Sequence, residues 1–195
     1  MADEIPKRKR LLSSAYDLFT TKGINSTTIQ DIVDAAKVAK GTFYLYFDDK
    51  YHIQEQLVIS KSTELFNDAL TELNNHHIMQ FDNQIIFIID YVIDELLAHP
   101  ELLNFISKDL SLGVYNSKIT KILDSKELGL YNTFMAGIKA NNLHIKRPDI
   151  TLFMIIELVS STVFSIITNK VDIKIDEYRP YLHKMIKNMI NSELK

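Results

Sequence analysis

Within KGTFYLYF, residues 40–47, a lysine, a glycine and a threonine share eight positions with four aromatic rings. If this stretch is helical, Phe43 and Phe47 lie four apart on one side and face a core. Lys40, Thr42, Tyr44 and Tyr46 then occupy the remaining surface, and Gly41 lets another backbone approach. A cation, a hydroxyl and two phenols on one exposed flank suit phosphates and base edges. A second set of chemically able residues is acidic: Asp90 and Asp94, four apart on a greasy helix, and Glu157 in another. Each either lies on a solvated stripe or is buried against a cation, because an unpaired buried charge is too costly to keep. Catalytic patterns are missing. There is no Gly-rich phosphate loop, no HExxH and no nucleophile elbow, and the neighbouring His76 and His77 point different ways on a helix. With no cysteine available as a thiolate ligand, neither an enzyme, a metal site nor a cofactor is expected.

The elements that must position these groups read as helices throughout. Five glycines and four prolines punctuate 195 residues, and no stretch alternates apolar and polar between turn signals. Leu12, Ala15, Leu18 and Phe19 predict a first helix over about Lys7 to Lys22, closed by Gly23. Thr27-Thr28-Ile29-Gln30 predicts a capping box for the second, with Thr27 as the cap and Gln30 reaching back. Lys37-Val38-Ala39 forms a short turn before the quoted segment, and Asp48 is placed to cap a fourth helix that runs to about Leu73. Residues 24–47 therefore read as helix, turn, helix, an arrangement that presents its second helix to the major groove of DNA.

Composition sets wider limits. A chain 46% hydrophobic can bury a full core, and no continuous apolar run is long enough to span a bilayer. No leader pattern stands at the N-terminus, so a cytoplasmic protein without membrane contact is expected. Net charge is -3, yet residues 1–50 hold eight Lys/Arg against seven acids, while the rest holds fourteen against eighteen. KRKR, residues 7–10, is either a solvated flexible arm or a phosphate contact.

TTIQDIVDAAKVAKGTFYLYFDDK closely resembles the signature of TetR-family transcriptional regulators, across roughly Leu11 to Lys50. Three positions depart from that pattern: Lys37 replaces a turn glycine, Ala39 replaces a capping serine, and Asp48-Asp49 place acids beside the expected phosphate. The resemblance implies an all-α fold of about nine helices, with a helix-turn-helix domain over 1–48 and a ligand-binding and dimerisation domain over 49–195. It implies that Thr27, Thr28, Tyr44 and Lys50 grip phosphates while Lys40, Thr42 and Tyr46 face bases or the backbone beside them.

Beyond Leu73 the helices turn apolar: Gln84 to His99, then one from His99-Pro100-Glu101 to Gly113, then one from about Asn116 to Ala140. By the resemblance these enclose a ligand cavity lined by Phe87, Asp90, Tyr91, Asp94, Phe105, Tyr131, Phe134, Met135 and Glu157. A solid core is the alternative. A helix after Pro148, apolar on more than one face, and a last one capped by Asp176 with Pro180 in its first turn, need a partner on each side. In TetR-like proteins that partner is the same pair from a second subunit, here through Phe153, Ile156, Phe164, Ile167, Tyr181, Met185, Ile186 and Met189. The expected function is a ligand-responsive DNA-binding transcriptional regulator, a repressor that binds a palindromic operator as a homodimer and is released by a small-molecule effector. The rival is a helical sensing or binding module without DNA binding.

Overall fold

A computed structural model describes residues 4–103, 105–106 and 129–191. The described residues form helices and no strands: α1 Glu4–Lys22, α2 Ile29–Ala36, α3 Lys40–Tyr44, α4 Lys50–Asn74, α5 Phe81–Ala98, α6 Gly129–Ala140, α7 Pro148–Ile167 and α8 Ile175–Asn191. Residues 100–103 and 105–106 are also helical. The expected helix end at Gly113, and the part of the next helix from Asn116 with Ile119, Ile122 and Leu123, lie outside the described residues.

In α1, Leu11, Ala15 and Phe19 recur every four residues and are buried, and Gly23 leaves the helix at φ +81°, where a side chain would be strained. KRKR is no loose arm. It lies inside α1, and the Arg8 guanidinium sits 5.7 Å from the centre of the Phe47 ring. α2 packs Ile32, Val33 and Ala36 against α1, and α3 adds Phe43. The fourth helix is capped by Asp49 rather than Asp48, its carboxylate accepting from the Tyr51 and His52 amides at 2.8 Å.

The N-terminal core does not stop at residue 48. Ile53, Leu57 and Val58 of α4 belong to it, and so do Phe105 and Ile106, with the Phe105 ring edge-on to Tyr16 at 5.2 Å and stacked on Phe19. A second cluster joins α5, α6, α7 and α8, and a third joins α4 to α5. Where α6 crosses α5, Gly137 is required. A β-carbon there would fall 2.0 Å from Cε2 of Phe81, a buried ring that also packs on Phe134. Two polar links tie α8 into this body. The Tyr178 and Thr162 hydroxyls meet at 2.5 Å, and Arg179 and His183 reach the acids of α5. Pro180 lies in the second turn of α8 rather than the first.

Candidate nucleic-acid surface and effector cavity

α3 has five residues, and its faces separate sharply. Phe43 and Phe47 are buried at 0% and 1% exposure, each contributing about 1.5–3 kcal/mol of apolar burial. On the other side Lys40 and Gly41 are exposed, Tyr44 is 52% exposed, Thr42 is half-buried, and Tyr46 packs half-buried against the core. A β-carbon on Gly41 would meet nothing within 4 Å. Leu45, 78% exposed on the same flank, is a candidate contact that sequence reasoning missed. A leucine between two tyrosines reads as core, and only the direction of the turn after α3 puts it in solvent.

The turn before α3 carries both departures physically. Lys37 adopts the left-handed conformation at φ 54°, ψ 49°, and Ala39 stands at the N-cap with no side-chain bond to the helix. Three expected roles change. Thr27 is fully buried, its hydroxyl donating to the Gly23 carbonyl at 2.8 Å, so its side chain cannot reach a phosphate. The cap of α2 is Thr28, in a box closed by Asp31 and not by Gln30, whose amide donates to Asp34 instead. Hydrogen bonds from the Thr28 side chain, then Lys22, then the Thr28 backbone hold the Asp31 carboxyl far below the usual range. Lys50 donates to the carbonyls of Ile24, Thr27 and Asn25 at 2.9, 3.1 and 3.3 Å, tying α4 to the α1–α2 loop instead of presenting a free ammonium.

A cavity opens inside the helical body. Its empty volume, mouth included, is about 880 Å³. α4 supplies Ser62, Leu65 and Phe66; α5 supplies Ile88 and Val92 among others; the helical residues after α5 supply Leu103 and Ile106; α7 supplies Ile156, Val159 and Ser160. The solid-core alternative is set aside for this region.

None of the nine residues expected to line a pocket is among the described residues around this cavity. Asp90 and Asp94 face α8, where Arg179 bonds both and the His183 ring lies 2.9 Å from Asp90, so these acids are paired with the Arg179 cation and not offered to a ligand. Burial works against the Arg179 charge, but Asp94 and then Asp90 outweigh it and its pKa is raised. Phe105 is in the N-terminal core, and Phe134 is fully buried against Phe81. Phe87 rests on the His76 ring, and Tyr131 edges the second cluster. Tyr91 edges the third, with burial pushing its phenol up, and Met135 is half-buried outside the lining. Glu157 lies outside it too, with Oε1 buried and without a partner, and burial raises its pKa.

The outward face of α7 and α8 also differs from expectation. Ile186 is fully buried in the second cluster and Ile156 lines the cavity. Phe164 and Ile167 pack against the third cluster, Met189 against the second, and Phe153 is half-buried. Tyr181 and Met185 are exposed, and so are Ile150 and Met154 of α7, which stand one turn apart. α7 is long and apolar enough to cross a membrane by length and composition, yet it walls the cavity here and contributes to the second cluster.

A short helix-turn-helix with an outward-facing second helix, set on a helical body that encloses an apolar space, defines the class: a helix-turn-helix protein with a separate internal cavity. Residues 11–57 match the family model described as "Bacterial regulatory proteins, tetR family". It is 28% identical over 94 residues to the probable acrEF/envCD operon repressor of Escherichia coli (strain K12), covering 47% of this chain and 43% of that protein. The chain spans less than half the length of the curated relatives it matches. Similarity of fold extends along the chain. A TetR family transcription regulator from Marinobacter aquaeolei VT8 superposes with a TM-score of 0.67 at 15% identity, over 96% of this chain and 97% of that one. The transcriptional regulator FadR from Bacillus subtilis, solved in complex with stearoyl-CoA, gives 0.63 at 18%, over 91% and 96%. These relatives are transcriptional regulators, a non-enzyme class.

Proposed function

We propose that this protein is a ligand-responsive transcriptional repressor that binds a palindromic operator as a homodimer and releases it when a small molecule fills the cavity. One observation carries the reading: on the TetR-type segment, Phe43 and Phe47 anchor α3 inward while Lys40, Tyr44 and Leu45 stand outward in solvent. Lys40 and Tyr44 suit phosphates or base edges, and Leu45 suits a thymine methyl. Thr28, Thr42 and Tyr46 are left as backbone-positioning contacts, and repression is supported by what the Escherichia coli relative is called.

Dimerisation is supported by α7, whose most apolar 18-residue stretch is only 33% buried among the described residues, and by the exposed Ile150 and Met154 on α7 and Tyr181 and Met185 on α8. Two recognition helices related by a two-fold axis call for half-sites about 34–36 Å apart or somewhat more. A route from effector to operator is present in Ile106, which lines the cavity and also belongs to the core that holds α1, α2 and α3. A ligand that displaces Ile106 shifts the population toward a form with its helix-turn-helix units differently set. A coupling of about 1–3 kcal/mol suffices for a switch.

The test is retention of genomic DNA fragments by the purified protein. Binding that weakens steeply with salt and is lost in the double variant Lys40→Ala, Tyr44→Ala supports the repressor. Absent or salt-insensitive binding to every fragment supports the sensing module instead.

A further inference from the structure

The cavity wall is chemically uniform. Among the described residues, thirteen of the sixteen that line it are Leu, Ile or Val, one is Phe66, two are serines, and none is charged. Among the described residues a ligand cation inside would find no carboxylate, because Asp90 and Asp94 are bonded to Arg179 on another face and Glu157 is not in the wall. A ligand carboxylate inside would find no ammonium or guanidinium among the same described residues, and a buried carboxylate without a partner is costly. A flat polyaromatic molecule would find one ring to stack on.

Against this wall stands one irregular group. Ser62 is 9% exposed, and its Oγ is buried with no hydrogen-bond partner. Helical serines ordinarily fold back to the carbonyl four residues earlier, as the adjacent Thr63 does to Ile59 at 2.8 Å. Ser62 forgoes that bond on the cavity side of α4, and an unsatisfied buried hydroxyl is a destabilising feature unless something else completes it. Ser160, the other hydroxyl in the wall, already donates at 3.4 Å to the Glu157 carbonyl.

We propose that the cavity takes a mainly aliphatic molecule bearing one uncharged hydrogen-bonding group, a hydroxyl or carbonyl, which meets Ser62 Oγ, with any charged part kept outside the wall. This rests on the cavity being the effector site.

Calorimetric titration of the full chain with 1-alkanols and fatty acid methyl esters of eight to twelve carbons tests it, beside alkyl carboxylates and alkyltrimethylammonium ions of matched length. Affinity for the neutral probes is expected to tighten about 3- to 4-fold per methylene. The charged probes are expected to bind at least tenfold more weakly. Ser62→Ala is expected to weaken the alkanols about 5- to 10-fold while raising the melting temperature of the free protein, since it removes an orphaned hydroxyl. Val159→Phe, which fills the cavity, is expected to abolish binding of all of them. Unchanged alkanol affinity in Ser62→Ala, or charged probes binding as tightly as neutral ones, overturns the assignment. Neutral probes that bind as predicted without altering DNA retention overturn the effector reading and leave the ligand class standing.

Discussion

Replacing Lys50 by methionine separates two accounts of that side chain. Methionine keeps most of the apolar stem and removes the ammonium, leaving the carbonyls of Ile24, Thr27 and Asn25 without their donor. Hydrogen bonds from a charged group are worth about 1.5–3 kcal/mol each. The Asn25 bond is exposed and water replaces it, whereas those to Ile24 and Thr27 are partly buried. Since the two remaining bonds share one donor and add incompletely, the net loss is about 2–3 kcal/mol, a large share of the 5–15 kcal/mol that holds an ordinary domain. Urea denaturation of the DNA-free protein reads it as a lower midpoint at constant slope. DNA retention measured against salt then supplies the second axis. A lysine that contacts phosphate contributes about 0.9 to the slope of log affinity against log salt, and a lysine held by carbonyls contributes nothing. A stability change under about 0.5 kcal/mol, together with a slope reduced by about one, refutes the carbonyl account and returns Lys50 to the phosphates.

Lys37→Gly relieves a left-handed residue at φ 54° and stabilises the protein by about 1 kcal/mol in the same denaturation experiment; a loss of stability would show that the Lys37 side chain matters more than its backbone. Gly137→Ala forces a β-carbon into the Phe81 ring and costs about 3 kcal/mol, and Phe81→Leu in the same chain returns part of that loss in a double-mutant cycle. Because burial raises the pKa of Glu157 above its ordinary 4.5, the folded state holds that proton more tightly than the unfolded chain. The associated stability is fully present below 4.5 and disappears as pH rises through the raised value. Glu157→Gln therefore raises the melting temperature at neutral pH and flattens its decline above pH 4.5; parallel curves for the two proteins would sink the idea.

The helices and the division of α3 into an inward and an outward flank were legible in the residues, because apolar spacing and glycine placement act locally. What failed depended on distance or on angle. Two consecutive threonines give no local sign of which one caps α2, and the answer turned on Asp31 standing three residues after Thr28. Asp90 and Asp94 looked like ligand groups because their partner, Arg179, lies more than eighty residues away in the chain. A cavity was expected, but its lining escaped. Its described wall is made of the same Leu, Ile and Val that fill a solid core, whereas Phe134 was already packed and Asp90 and Asp94 already paired. On α8, a one-residue step of about 100° separates exposed Met185 from fully buried Ile186, a distinction that a stripe at three- and four-residue spacing blurs.

Gly41 has open space where its side chain would be. Alanine there is compatible with the chain's own packing, so a library sorted for soluble expression would score the position as permissive. Any harm such a variant does to a living cell must arise from a neighbour that arrives later, and the gap between those two screens would outline the footprint of whatever docks on α3.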